Sequence, residues 1–384
     1  MKILYITNHL NGNDGWSRYG LDIINEIIKT KGVFCLVNKK SETEKKYEKA
    51  VFGGPLEYIY NPVKSFLAAK KVNKVIKDFN PDVVHFLVEP YITMLPFLRI
   101  KKETKVVLTI HGTYAYFPNL FDNKFKKIIS SCLFKVSILK VNKIISVSEF
   151  TKGYLLQNIK FKKFKNIIKE KIAVITNGIN IDNINLVERR TRDNSANIKN
   201  ILFVGTIKSR KGILESIEAL REYKDKFSDN FIYNIVGSYK EGDDYYKKAT
   251  KKVEEYSLKG KIFFRGRASD EELEKYYEKS DLFLMLPIND GRRFEGFGLV
   301  YLEAGSRGIP CIGSDDSGAR EAILDGKTGY LVAANNSKKI AKKIDFILNK
   351  EKIKKENCIN WANQNDIKNK VDFLLSSVYE KNYL

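Results

Sequence analysis

Short apolar runs separated by helical stretches recur in two series along this chain, and that alternation constrains the fold more than any other feature. In the first half, Lys2–Thr7, Val33–Val37, Asp82–Phe86, Lys105–Ile110, Ile144–Ser148 and Ile172–Ile175 read as strands. Between them, Trp16 to Lys29 and Pro62–Phe79 carry helical periodicity. Strands joined through helices imply a parallel sheet with right-handed crossovers, because a tight turn cannot join parallel neighbours. A polar stretch, Glu188–Asn200, interrupts the pattern with Arg189, Arg190, Arg192, Asp193, Asn194 and Ser195. Alternation restarts at Asn200–Gly205 and continues through Phe231–Val236, Ile262–Phe264, Leu282–Leu286 and Pro310–Gly313. The expectation is an α/β protein of two Rossmann-like doubly wound domains, residues 1–187 and 196–370. With 384 residues and 43% hydrophobic content, the chain can bury a full core in each.

In doubly wound sheets, ligands collect at the carboxyl ends of the strands. His9, Gly12, Gly15 and His111 lie just past such ends in the first half. In the second half, Arg293-Phe-Glu-Gly-Phe-Gly-Leu-Val-Tyr-Leu-Glu303 follows the apolar run Asp281–Pro287 and leads into helical sequence. A strand, a loop with Gly296 and Gly298, then a helix start is the layout of an anion site, since the first N–H groups of a helix lack internal partners. Glu295 falls in the loop and Glu303 within the helix. Carboxylates repel phosphate but accept hydrogen bonds from hydroxyls. A ligand with phosphates in the middle and hydroxyls at both ends, such as a nucleotide-sugar, satisfies both demands.

This segment resembles the Glu-x7-Glu signature of the retaining glycosyltransferases of family 4. The likeness continues through Ala304–Pro310, Ser314–Glu321 and Asp325–Val332. Upstream, Phe203-Val-Gly-Thr-Ile-Lys-Ser-Arg-Lys-Gly212 resembles that family's phosphate-binding loop, and Asn177-Gly178 its interdomain Asn-Gly. The resemblance implies the GT-B fold, two Rossmann-like domains facing each other across a cleft. It places acceptor binding in residues 1–187 and the nucleotide-sugar donor in 196–370, with a C-terminal helix at about 371–384 packing back on the first domain.

The resemblance also implies roles for single residues. Arg210 and Lys211 would hold the diphosphate beside Gly205, Glu303 the ribose hydroxyls, and Glu295 the transferred sugar. Phe297, Gly298 and Leu299 would present backbone around sugar and diphosphate. Arg267 either stacks on the base or pairs with Glu271 or Glu272. His111 would hydrogen-bond the sugar and steady charge at its anomeric carbon, which makes His111, Glu295, Arg210 and Lys211 the catalytic set. Gly12, Gly15, Trp16 and Arg18 form the acceptor-side loop; Trp16 and Arg18 either shape the acceptor site or pack the first helix. The chain departs from the common pattern at Thr206, where the family often has arginine, and in Gly15–Gly20, which lacks paired glycines. No Asp-x-Asp occurs, so no metal or other cofactor is expected, and the cations and helix starts would neutralise the leaving group.

The formal charge of +22 narrows the partners. Residues 121–171 carry thirteen lysines against Asp122, Glu149 and Glu170, a net of +10. In Leu120–Val147 those lysines interleave with Phe121, Phe125, Ile128, Leu133, Phe134 and Ile138, which reads as a basic amphipathic helix suited to an anionic membrane surface. A solvated lysine face is the plainer alternative. Nucleic acid is not expected, because the charge is lysine rather than base-reading arginine and no known binding motif appears. Cys35, Cys132, Cys311 and Cys358 are scattered, which fits reduced thiols, and Met1–Thr7 turns polar too soon for a secretory signal. The expected location is cytoplasmic, peripheral on the inner face of the plasma membrane. The rival functions are a GT-B enzyme with a soluble small acceptor, as in sugar-phosphate synthases and nucleotide-sugar epimerases, or a basic nucleic-acid-binding protein.

Overall fold

The computed structural model describes residues 1–12, 14–41, 45–182, 198–350 and 353–380. The arginine-rich break expected at 188–200 lies outside the described residues up to residue 197, as does the end of the expected C-terminal helix beyond residue 380. Two compact units emerge: unit 1 is Met1–Gly178 with Ile367–Leu384, and unit 2 is Ile179–Asp366.

Unit 1 is built on β1 (Lys2–Ile6), β2 (Gly32–Val37), β3 (Glu48–Ala50), β4 (Val83–Phe86), β5 (Lys105–Ile110), β6 (Lys143–Ser146) and β7 (Ile172–Val174). They pair in the order β3-β2-β1-β4-β5-β6-β7, every pair parallel. Their near-continuous apolar runs follow from burial on both faces: Ile3 to Ile6, Val83, Val84, Val107 and Leu108 are essentially inaccessible. Chain order reverses between β1 and β4, so the loops after these two strands flank the switch point where ligands bind in such sheets. The helix Gly15–Ile27 starts where Asp14 accepts the Ser17 N–H, and Pro62–Phe79 starts where Asn61 accepts the Lys64 N–H.

The C-terminal segment is anchored in unit 1 by a buried polar chain. The Tyr379 hydroxyl meets the Tyr5 hydroxyl at 3.1 Å and His85 Nδ1, while His85 Nε2 meets Thr109 Oγ1 at 2.8 Å. Lys105 Nζ donates to the carbonyls of Val378 and Tyr379. Burial, with His111 nearby as a second cause, holds the His85 imidazole at about 3, so it remains neutral at the centre of this network.

Unit 2 repeats the plan with β8 (Lys199–Val204), β9 (Phe231–Val236), β10 (Ile262–Gly266), β11 (Leu282–Leu284), β12 (Cys311–Ser314) and β13 (Gly329–Val332). All pairs are parallel in the order β10-β9-β8-β11-β12-β13, which puts its switch point between β8 and β11. β3 escapes a reading based on apolar runs: it is an edge strand with the polar sequence Glu-Lys-Ala.

The basic segment differs from expectation. Its helix is Lys124–Leu139 and not Leu120–Val147, because residues 143–146 are drawn into the sheet as β6. Leu133, Phe134 and Ile138 are core residues, whereas Phe125, Ile128, Val136 and Leu139 are exposed, Phe125 to 72%. Among the described residues, no helix is long and apolar enough to cross a membrane.

Candidate active site

The switch point of unit 2 is where interlocking loops converge. After β8 the chain runs through Gly205 and a short turn, Ser209–Lys211, into the helix Ile213–Lys226. Gly212 joins turn to helix at φ +68°, and a Cβ there would lie 1.6 Å from the Leu286 carbonyl oxygen. Only glycine permits that approach, which the Ile288 N–H to Arg210 carbonyl bond of 2.9 Å locks. From the other side, a Cβ on Gly318 would fall 2.0 Å from the Gly296 carbonyl oxygen, and Gly318 N–H donates to the Glu295 carbonyl. Backbone packing thus fixes Arg210, Lys211 and Glu295 relative to one another.

Those three side chains form a cluster. Arg210 Nη1 and Lys211 Nζ each lie 2.6 Å from Glu295 Oε2. Burial alone would raise the Glu295 carboxyl; Lys211 and Arg210 outweigh it and hold it at about 2. Burial pulls the Lys211 ammonium below its ordinary value, with Glu295 opposing that pull. Glu295 is therefore ionised at neutral pH. The sequence reading assigned Glu295 to the sugar; the structure places it on the two cations assigned to phosphate. Glu303 lies in the helix Leu299–Ser306, accepts from the Tyr277 hydroxyl at 3.1 Å, and contributes to the field at Lys211. Arg307 spans this edge, paired with Glu274 and stacked over the Tyr277 ring at 4.5 Å.

The two helix starts at this edge differ. At Ile213–Lys226 the Tyr245 hydroxyl accepts the N–H groups of Ile213 at 3.0 Å and Leu214 at 3.3 Å. The first two donors of this helix are thus already taken by a tyrosine from the next helix. The start of Leu299–Ser306 lies at Gly298, with φ +85°, a residue that has no side chain to cap with. Phe297 is buried and Leu299 half-buried beside it. Arg267 is exposed in the loop after β10, and Glu272 is committed to Ser269 in a capping box.

In unit 1, His111 follows β5. Its Nε2 lies 2.8 Å from the Leu87 carbonyl, which can only accept, so Nε2 carries the proton and Nδ1 the lone pair. Burial lowers this imidazole to about 4, so it is a neutral acceptor. It packs edge-on to Tyr19 at 4.6 Å. Gly12 sits at φ +74° with its N–H on Ser17 Oγ, while Gly15 is the first residue of the helix and not a loop glycine. Trp16 packs on Tyr114 at 5.0 Å, and Arg18 pairs with Asp22 of its own helix at 3.5 Å. Sequence reasoning missed Tyr245, Tyr277 and Glu89. Glu89 is fully buried directly after β4, and the cue for it was an acid followed by proline at a strand's carboxyl end.

Comparison with known proteins bears on the same two units. Residues 188–376 match the family model described as Glycosyl transferases group 1, and residues 33–183 match Glycosyltransferase Family 4. The chain is 26% identical over 328 residues to an uncharacterised glycosyltransferase of Methanocaldococcus jannaschii, covering 84% of this chain and 82% of that one. It is 33% identical over 126 residues to the GDP-mannose-dependent alpha-(1-6)-phosphatidylinositol monomannoside mannosyltransferase of Mycolicibacterium smegmatis, a stretch of 32% of this chain and 31% of that protein. Its fold is similar to that of Anabaena HepE in complex with UDP and glucose, with a TM-score of 0.74 and 17% identity over 99% of this chain and 100% of the other. The chain belongs to the glycosyltransferases of the GT-B fold, in the group 1 and family 4 lineage, and uses a nucleoside-diphosphate sugar as donor.

Proposed function

We propose that this enzyme transfers a hexose or N-acetylhexosamine, with retention of anomeric configuration, to an acceptor hydroxyl on a lipid-linked or polysaccharide intermediate of glycan biosynthesis. The observation that carries the reading is the meeting of Arg210, Lys211, Glu295 and Glu303 at the switch point of unit 2. Arg210 and Lys211 take the diphosphate and stabilise charge on the leaving group, a contribution made without a metal ion. Glu303, oriented by Tyr277, takes the ribose hydroxyls. Glu295 shifts from the cations toward the sugar as phosphate oxygens take its place on them. Gly205, Phe297, Gly298 and Leu299 supply backbone around the diphosphate, and Arg267 reaches the base. His111, neutral and with Nδ1 as acceptor, takes a sugar hydroxyl.

Retention is assigned to front-face attack. A carboxylate held at about 2 is a weak proton acceptor, so Glu295 is a poor general base. The departing phosphate oxygen accepts the acceptor's proton instead. The acceptor is placed at a lipid surface because Phe125 and Ile128 are exposed beside Lys124, Lys126 and Lys127 on one helix. The mycobacterial relative's name, with its phosphatidylinositol-based acceptor, is in keeping with that choice. The test is release of nucleoside diphosphate from a panel of uridine, guanosine and adenosine diphosphate-sugars, with and without EDTA. The UDP and glucose held by the Anabaena neighbour put UDP-glucose first. Turnover of one donor that survives EDTA is expected; a strict metal requirement or no turnover of any donor would contradict the proposal.

A further inference from the structure

Glu89 is a buried carboxyl of unit 1 among the loops at the carboxyl ends of the strands. It follows β4 at the switch point, is 1% exposed, and begins a short 3-10 segment, Glu89–Phe97. Its Oε1 accepts the His111 backbone N–H at 2.6 Å. The Gly112 N–H and the Trp16 indole face the same carboxyl, and Oε2 makes no full hydrogen bond among the described residues. Gly112, at φ +149° and ψ −118°, is in a conformation that glycine adopts readily and other residues rarely do. One buried carboxyl therefore ties together three pieces: the first turn of the helix Gly15–Ile27, through Trp16; its own loop, after β4; and the loop after β5, through His111.

A carboxyl confined in the interior, with one oxygen making no full hydrogen bond among the described residues, is costly as a structural filler. Phe86, Leu87, Val88 and Tyr91 around it are fully buried. An apolar residue would fill the space at less cost, but it could not accept the His111 N–H or hold Trp16 beside it. We infer that Glu89 is a positioning residue for the sugar-transfer reaction, setting the His111-Gly112 turn and the Trp16 ring as one unit at the switch point of unit 1. The inference rests on the proposed function for its catalytic consequence, but the positioning itself is testable without turnover. Burial pushes the Glu89 carboxyl up to about 7, against the opposing hydrogen bond from His111, so its charge changes in an accessible pH range.

The chain has two tryptophans, Trp16 in unit 1 and Trp361 in unit 2, so full-length W361F reports on Trp16 alone. Its emission should titrate with a midpoint near 7, and E89Q in that background should be flat between pH 5.5 and 8.5. Other titratable groups facing this region are controlled. Burial keeps His111, at about 4, and His85, at about 3, neutral throughout, and burial raises Tyr19 to about 12. His9, paired with Asp14 at 3.0 Å on the loop that carries Trp16, is tested by H9N, which should leave the titration in place. Turnover of UDP-glucose or GDP-mannose by E89L, which cannot accept the His111 N–H, should fall ten- to a hundredfold in kcat with an unchanged KM for donor, while UDP or GDP raises its Tm as in wild type; E89Q, whose amide oxygen can accept that bond, should keep most of the turnover. A titration that persists in E89Q, or is absent from W361F, overturns the inference. So does E89L turnover equal to wild type. If wild type turns over no donor while Trp16 still titrates through Glu89, the positioning stands and the proposed function fails.

Discussion

Replacing Glu295 with glutamine removes the charge that two cations share while keeping the side chain's size. Glu295 ionises at about 2 in the folded chain against 4.5 ordinarily, a difference of about 2.5. At 1.36 kcal/mol per unit this is about 3.4 kcal/mol of stability at neutral pH. That is close to the roughly 3–5 kcal/mol lost when one member of a buried pair is removed. The group is mostly buried, at 14% side-chain exposure, so solvent screening takes little of it away. Because the folded value is depressed, the contribution is complete above pH 4.5 and is lost as pH falls toward 2. At pH 3 about 1.4 kcal/mol remains. Thermal unfolding followed by Trp361 in a W16F background reads unit 2 directly. E295Q should melt roughly 7–14 °C lower at pH 7, using about 2–4 °C per kcal/mol for a unit of this size. The gap should narrow strongly by pH 3. Calorimetry should show that E295Q binds the bare nucleoside diphosphate at least as well as wild type, since the substitution frees Arg210 and Lys211 for phosphate. A loss below about 1 kcal/mol, or one that is constant with pH, would refute the ion-pair reasoning.

Further outcomes follow from the same geometry. Glu303→Ala should weaken bare nucleotide and nucleotide-sugar alike by about ten- to a hundredfold in calorimetry, because it loses a charged hydrogen bond to ribose. Tyr277→Phe should reproduce part of that loss, since it removes the hydrogen bond that orients Glu303. His85 and His111 stay neutral in the folded chain at pH values where the unfolded chain protonates them. Between pH 6.5 and about 4.5 each therefore lowers stability by about 1.4 kcal/mol per unit as pH falls, while Glu89, protonated in the fold, offsets one of the two. His85→Gln should reduce that acid slope, measured by urea unfolding, by one proton. Charge reversal at Lys124, Lys126 and Lys127 should abolish sedimentation with anionic liposomes, since each lysine contributes about 1 kcal/mol near such a surface, and should leave nucleotide binding intact.

Two parallel sheets were legible because their central strands are continuous apolar runs and the helices between them are amphipathic. The helix Pro62–Phe79 carries its own boundary signals, Asn61 as cap and the left-handed Asn80 at its end. The polar edge strand β3 was not legible, since edge strands need no apolar run to pair. The span of the basic helix was misjudged because apolar and basic residues also alternate through Lys143 into β6, so composition alone hides where the helix ends. Of the candidate site, the loop-and-helix setting of Glu295 and Glu303 could be read from spacing and glycines, and Arg210 and Lys211 joined it through the family resemblance. Which carboxylate meets which cation could not, because it depends on the packing of Gly212 on Leu286 and of Gly318 on Gly296. Tyr245 was invisible and Glu89 was passed over for a related reason: each acts through a hydrogen-bonding atom brought to a distant loop by the sheet order.

Sugar transfer with retention is tested most directly by carbon NMR with a nucleoside-diphosphate sugar labelled at the anomeric carbon, incubated with the enzyme and a membrane extract as acceptor source. The account predicts that the labelled signal leaves the donor and reappears as a glycoside of the same anomeric configuration, with EDTA present. A product of inverted configuration, or a donor signal that never changes, would contradict it.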